Sequence, residues 1–168
     1  LLGHLTGGGR GILPEPGALL TKSPKVPGLD GRKMSKSYGN TIGLREDPDA
    51  VAAKLKTMQT DPARVRRTDP GDPDKCPVWD LHKIYSGADV QAWVQQGCRS
   101  ASIGCLECKK PLIERVVEEV TTMRQRAQEY EDNPDLVRGI ISEGCEKARE
   151  VAGQTLDDVK QAIGLAYR

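Results

Sequence analysis

Residues 111–131 read Pro-Leu-Ile-Glu-Arg-Val-Val-Glu-Glu-Val-Thr-Thr-Met-Arg-Gln-Arg-Ala-Gln-Glu-Tyr-Glu, and this run decides the fold class. Leu112, Val116, Val120, Met123, Ala127 and Tyr130 recur at steps of three and four, the spacing of one helical face. Pro111 suits the first position of such a helix, where a missing N–H is not needed. A stripe of this length requires helical partners, and the sequence supplies them on both sides.

Downstream, Asn133-Pro134 opens a second helix whose inward face is Val137, Ile140, Ile141, Ala148 and Val151. Cys145 falls on that same face and is expected as a small buried thiol. Thr155 with Asp158 three residues later resembles a capping box and predicts a third helix, with Val159, Ile163 and Ala166 facing inward. Three consecutive amphipathic helices with short joints predict a bundle. Upstream, Asp47-Pro48 caps and starts a helix near 48–58, with Val51, Leu55 and Met58 on one face. Shorter helices are expected near 78–86 and 89–96. The proline-rich stretch 60–77 is a loop or a single turn.

The composition agrees with a mainly α chain. Of 168 residues none is Phe, so Leu, Val, Ile and Ala must build the core. No run of 18 apolar residues occurs, so no membrane-spanning helix is expected. A secretory leader pattern is also missing, which points to the cytoplasm. There the five cysteines are expected reduced, so metal binding is favoured over disulfides. The chain opens on Leu1-Leu2, as a portion of a longer protein would. Net charge is +1, but residues 1–40 hold an excess of +4, from Arg10, Lys22, Lys25, Arg32, Lys33 and Lys36 against Glu15 and Asp30. A basic, Gly-rich head suggests a locally bound anion.

That anion has a candidate host in residues 28–40, Gly-Leu-Asp-Gly-Arg-Lys-Met-Ser-Lys-Ser-Tyr-Gly-Asn. Lys33 and Lys36 stand three apart among small and hydroxyl residues. Gly31 and Gly39 let the backbone move and approach a ligand. Ammonium groups on flexible stems can follow a phosphate whose charge is changing, and Ser35 and Ser37 add hydroxyl donors. Cations aimed at developing charge act chiefly in the transition state. Lys33-Met34-Ser35-Lys36-Ser37 spells the KMSKS signature of class I aminoacyl-tRNA synthetases. Together with Gly28 to Arg32 and Tyr38 to Asn40, it resembles the tryptophanyl type.

Four cysteines form the second signal. Cys76, Cys98, Cys105 and Cys108 are spaced C-x21-C-x6-C-x2-C. Four thiolates suit tetrahedral Zn2+ or a [4Fe-4S] cluster. Lys75, Arg99, Lys109 and Lys110 would favour the thiolate form. A subset of bacterial tryptophanyl-tRNA synthetases has a similar pattern in this place, associated with a [4Fe-4S] cluster. Cys76-Pro77-Val78, His82-Lys83, Tyr85-Ser86 and Cys98-Arg99 also resemble that subset, although the first spacing here is about one residue shorter.

The resemblance implies a ligase that joins L-tryptophan to tRNA(Trp) through tryptophanyl-adenylate, using ATP and Mg2+, as a homodimer. It implies that Lys33 to Ser37 bind ATP, with Lys33 and Lys36 acting on its phosphates. Residues 1–45 would be the tail of a Rossmann-like α/β catalytic domain. Residues 46–168 would be a helical-bundle anticodon-binding domain with the cysteine site. The tryptophan pocket and the HxGH motif would lie upstream, so residues 1–168 alone should not activate an amino acid. Gly3-His4 echoes that motif by coincidence. Two alternatives stay open: a tyrosyl-tRNA synthetase, and a non-catalytic metal- or cluster-bearing RNA-binding module. Arg64, Arg66 and Arg67 read as a solvated basic face that could meet tRNA phosphates. Trp79 and Tyr85 read as core first and stacking groups second, and His82 as structural or RNA-facing.

Overall fold

The computed structural model describes residues 13–14 and 16–165. Gly3-His4, the run from Gly7 to Gly11 with Arg10, Glu15 and Ala166 lie outside the described residues. The helices are α1 (Pro48–Thr57), α2 (Pro77–Tyr85), α3 (Ala88–Arg99), α4 (Cys105–Asp132) and α5 (Pro134–Ala162). Single 3-10 turns occupy Lys36–Tyr38 and Pro73–Lys75. Among the described residues there is no strand, only an isolated antiparallel bridge between Pro27 and Lys33. The chain is therefore mainly helical, as its periodicity predicts. Leu20–Glu129 form one compact unit, and the chain from Tyr130 belongs to a second.

The first unit is organised by one apolar core. Val51, Leu55 and Met58 of α1 and its end meet Val78 and Leu81 of α2 and Leu112, Val116 and Val120 of α4. The start of α1 follows the expected chemistry. Asp47 Oδ1 accepts the N–H groups of Asp49 (3.0 Å) and Ala50 (3.3 Å), and Pro48 takes the first helical position. Val26, Leu29 and Ile42, from the segment before α1, pack against this core. Trp79 is buried at 5% exposure, so its core reading holds. Tyr85 is half-buried against the same cluster.

A second tie joins that segment to α1. Lys54 Nζ lies 2.5 Å from Glu46 Oε1 and donates to the Thr41 carbonyl at 3.2 Å, while Gly43 N–H donates to Glu46 Oε2 at 2.9 Å. The Lys54 hydrogen bond, then the Gly43 N–H, hold the Glu46 carboxyl below its ordinary value of 4.5. A depressed folded-state value contributes stability above the unfolded value and loses it as pH falls through the folded one. Glu46→Gln should therefore lower stability at neutral pH, and its difference from the wild type should shrink as pH drops below 4.5. Urea midpoints across pH 3–7 that run parallel would remove this role.

Two elements depart from the sequence expectation. Helix α4 begins at Cys105 and not at Pro111, which sits inside it. The reason is a cap built on Gly104: its carbonyl accepts Cys108 N–H at 2.9 Å, and its own N–H donates to Glu107 Oε2. Glu at the third helical position reaching back to the cap residue is the reciprocal part of a capping box. Pro111 has no N–H to offer the Glu107 carbonyl, a loss that the added turn tolerates.

The second correction concerns the tail. No helix starts at Thr155, because α5 runs unbroken from Pro134 to Ala162. Thr155 Oγ1 donates to the Val151 carbonyl at 3.0 Å, the bond of a mid-helix threonine and not of a cap. The expected inward face is not buried: α5 has no buried residue, and Ile140, Ile141 and Val151 are all exposed. Cys145 is exposed as well, against the expectation of a buried thiol. The three-helix count of the expected bundle is thus replaced by two long helices.

Candidate nucleotide-binding loop and cysteine centre

The loop from Gly28 to Asn40 is closed at its base by backbone bonds. Leu29 N–H donates to the Asn40 carbonyl (3.0 Å), Met34 N–H to Val26 (2.9 Å), Gly28 N–H to Arg32 (2.7 Å) and Gly31 N–H to Gly28 (3.0 Å). Asn40 is the bolt. It is 3% exposed. Its Nδ2 donates to Asp30 Oδ1 (2.7 Å) and the Lys33 carbonyl (3.3 Å), and its Oδ1 accepts Ser35 N–H (2.8 Å). A buried amide with its donors and acceptor engaged fixes both limbs of the loop. Gly28 is required by this contact, since a Cβ there would strike the Asn40 side chain and lie 2.8 Å from its carbonyl oxygen. The Asn40 bond, with help from Arg32, holds the Asp30 carboxyl below its ordinary range.

Beyond that base the chain is presented outward. Lys33 and Lys36 are exposed, and no ion pair among the described residues engages either. The Lys36–Tyr38 turn ends on Gly39 at φ 65°, a left-handed position. Ser35 and Ser37 share a hydroxyl hydrogen bond of 2.8 Å. Met34 is half-buried and lines an apolar cleft with Val26, Ile42, Leu81 and Tyr85. Arg32 is committed to Asp30 (Nε to Oδ2, 2.7 Å) and to the Tyr38 ring (4.4 Å), so it does not compete for a ligand. The arrangement is a hydrogen-bonded base holding two ammonium groups, unpaired among the described residues, and two hydroxyls.

The four cysteines come from three helices. Cys76 precedes α2 at its cap position, Cys98 is near the end of α3, and Cys105 and Cys108 lie one turn apart at the start of α4. All four are partly buried free thiols. Burial first, then the charges of Cys76, Cys98 and Cys105, push the Cys108 thiol up to about 12. Burial and the same neighbours raise Cys98, and burial with Cys105 raises Cys76. The four sulfurs thus lie within electrostatic reach of one another. No three His, Cys, Asp or Glu side chains among the described residues surround a point as the ligands of a single metal ion.

Several residues around the sulfurs carry roles that the sequence does not announce. His82 is fully buried, with Nδ1 on Ser86 Oγ (2.7 Å) and Nε2 on the Cys108 carbonyl (3.2 Å) and 3.5 Å from Cys108 Sγ. Burial lowers its pKa, so it is a neutral structural residue and does not face solvent RNA. Lys109, 4% exposed, donates Nζ to the carbonyls of Lys56 (2.8 Å) and Met58 (2.5 Å), the last turn of α1. The basic triplet is not one face: Arg64 is buried, whereas Arg66 and Arg67 are exposed. Arg67 pairs with Glu107 at 3.0 Å. The one local signal here is the i, i+3 step from Cys105 to Cys108 with Gly104-x-x-Glu107, which marks a helical turn and not a loop; the burial of His82, Lys109 and Arg64 rests on long-range contacts.

Comparison with known proteins agrees with this architecture. Residues 4–121 match the family model of the tRNA synthetases class I (W and Y). A tryptophan–tRNA ligase of Ralstonia nicotianae is 59% identical over 167 residues, covering 99% of this chain and 42% of that protein. One from Thermotoga maritima is 43% identical, covering 93% of this chain and 48% of its own length. The crystal structure of a Campylobacter jejuni tryptophanyl-tRNA synthetase, complexed with ADP and tryptophan, superposes with a TM-score of 0.71 at 26% identity. It is matched over 96% of this chain and 50% of its own. The chain spans about half the length of the relatives it matches, and it belongs to the class I tRNA synthetases (W and Y).

Proposed function

We propose that this chain is the C-terminal part of a tryptophan–tRNA ligase, in which the loop from Gly28 to Asn40 acts on ATP. Residues 1–45 end the Rossmann-like α/β catalytic domain, and residues 46–168 are the helical anticodon-binding domain that meets tRNA(Trp). The whole enzyme uses L-tryptophan, ATP and Mg2+ and works as a cytoplasmic homodimer. Tryptophan is favoured over tyrosine because the relatives at 59% and 43% identity are both named for it. No helix of the described residues is long and apolar enough to cross a membrane.

One observation carries the reading: a base locked by Asn40 presents Lys33 and Lys36 with no ion pair among the described residues. In adenylation the tryptophan carboxylate attacks the α-phosphorus, the bond to the bridging oxygen breaks, and pyrophosphate leaves with the electron pair. Negative charge grows on the departing phosphates. Ammonium donors on long stems can close on that charge as it forms, while Ser35 and Ser37 offer hydroxyl donors beside them. The test is tryptophan-dependent ATP–pyrophosphate exchange. The full-length enzyme should catalyse it with tryptophan and not tyrosine. Residues 1–168 alone should show none, because the tryptophan pocket lies upstream. Exchange by the fragment would refute this division of labour.

We further propose that Cys76, Cys98, Cys105 and Cys108 hold a [4Fe-4S] cluster, with Zn2+ as the alternative. The donor set fits. Four thiols sit within mutual electrostatic reach, and a buried arginine nitrogen beside them has no acceptor among the described residues. A cluster takes its thiolates at separate corners, so ligands need not converge on one point. Bound, it would tie the start of α2 and the end of α3 to the start of α4 and so brace the helical unit.

A further inference from the structure

Arg64 is left over by everything above. Its side chain is 9% exposed, and it makes no ion pair with a carboxylate among the described residues. Arginine is seldom buried so deeply without a counter-charge. Nη2 donates to the backbone carbonyls of Arg67 (2.9 Å) and Ile103 (2.5 Å). Nη1 reaches Cys98 Sγ at 3.9 Å. Nε is buried and has no acceptor among the described residues.

The surroundings show that this placement is built. Gly71 lies against both the Arg64 stem and the sulfur: a Cβ there would stand 3.2 Å from Arg64 Cδ and 2.6 Å from Cys98 Sγ. Any side chain at Gly71 would fill the space that the guanidinium and Cys98 share. Gly71 N–H in turn donates to the Cys98 carbonyl at 3.0 Å, which holds the loop to the end of α3. The nearest acids are already used. Asp61 accepts the N–H groups of Ala63 (3.0 Å) and Asp72 (2.8 Å), and Glu107 accepts Gly104 N–H and Arg67. The guanidinium therefore bridges the segment bearing Cys98 and the turn that leads into Cys105. Asp61 and Glu107 feel its charge without accepting a hydrogen bond from it, and the side chain that its Nη1 reaches is Cys98.

We propose that Arg64 is a positioning residue of the cysteine centre, orienting Cys98 through Nη1 and donating Nε–H to a sulfur of the bound cluster. The inference rests on the cluster reading of the preceding subsection. Its fixed charge offsets the thiolates, and its planar fork meets two carbonyls and the sulfurs at once. Lysine can supply the charge but not the fork. Hydrogen bonds to cluster sulfurs favour the more negative, reduced state and so raise the reduction potential. Arg64 touches neither ATP nor tryptophan in this scheme, so activity is not the readout.

The experiment compares wild type with Arg64→Lys in the full-length enzyme, purified without oxygen. Iron and labile sulfide are assayed, then the potential is titrated with dithionite as electron donor through mediator dyes, and iron release to a chelator is timed. Arg64→Lys should keep its iron. Its equilibrium constant for one-electron reduction should fall about tenfold, a shift of about 59 mV to lower potential, and iron should be released several-fold faster. Equal potential and equal release would overturn the proposal while leaving the cluster reading intact. Zinc or no metal in the wild type would overturn both. If Arg64→Lys does not fold, the wild type suffices: with arginine nitrogens isotopically labelled, the reduced cluster should show hyperfine coupling to a guanidinium nitrogen. No such coupling would dismiss the proposal.

Discussion

In the full-length enzyme, Lys36→Ala is expected to slow tryptophanyl-adenylate formation about 10²- to 10³-fold, or about 2–4 kcal/mol in the barrier. ATP binding should weaken far less. The asymmetry follows from where the lysine stands. Its stem is exposed and its ammonium has no internal partner among the described residues, so its removal orphans nothing in the resting protein. What it loses is an interaction with charge that exists fully only once the bridging bond is breaking. Pre-steady-state rates of adenylate formation, set beside ATP dissociation constants, separate the two effects. Equal losses in rate and affinity would make Lys36 a ground-state ATP ligand and sink the assignment. The loop base should be unchanged, because Asn40 bonds to Asp30, Lys33 and Ser35 and not to Lys36.

Lys109→Ala should instead act on stability. The wild-type ammonium is buried and serves the carbonyls of Lys56 and Met58 at the end of α1. Those carbonyls belong to a helix end whose last acceptors have no intrahelical donors. A buried acceptor left unpaired costs about 1–3 kcal/mol; Met58 is buried whereas Lys56 is exposed, so the loss should be about 1–3 kcal/mol. Burial lowers the Lys109 pKa, and the neighbouring cysteine charges of Cys105, Cys76 and Cys108 oppose that shift. The loss should appear as a lower denaturant midpoint at unchanged slope. Because Gln59 N–H donates to the Leu29 carbonyl at 3.0 Å, the end of α1 also supports the base of the lysine loop. Some loss of adenylation rate should therefore accompany the loss of stability. A midpoint within error of the wild type would show that solvent replaces the ammonium freely.

The sequence made parts of this legible for identifiable reasons. Asp47-Pro48 and the stripe Leu112, Val116, Val120 are local signals, and the structure buries that stripe and starts α1 where the cap predicts. The lysine loop was legible as a motif, but its bolt was not. Asn40 stands ten residues from Asp30, and nothing in the spacing shows that its amide turns inward. Arg64 and Lys109 were hidden for a similar reason. Their types predict exposure, and only contacts across 39 and 51 residues, to Ile103 and Met58, explain their burial. In the tail, the apolar periodicity of residues 137–151 predicts a buried face, but periodicity reports a helix and does not supply a partner.

Pro111 gives the long helix α4 two natural starting points. A proline is a poor link in the middle of a hydrogen-bond ladder and a good first residue. The sulfur-bearing turn from Cys105 to Cys108 is thus set off from Leu112 and the apolar stripe by one missing rung. Were that turn to uncoil, the unwinding would meet a ready-made terminus at Pro111, but on the way it would pull Lys109 from the Lys56 and Met58 carbonyls. The sulfur-bearing tip of α4 is therefore latched to the apolar interior by an ammonium one residue beyond Cys108, and the latch sits on the tip side of the proline.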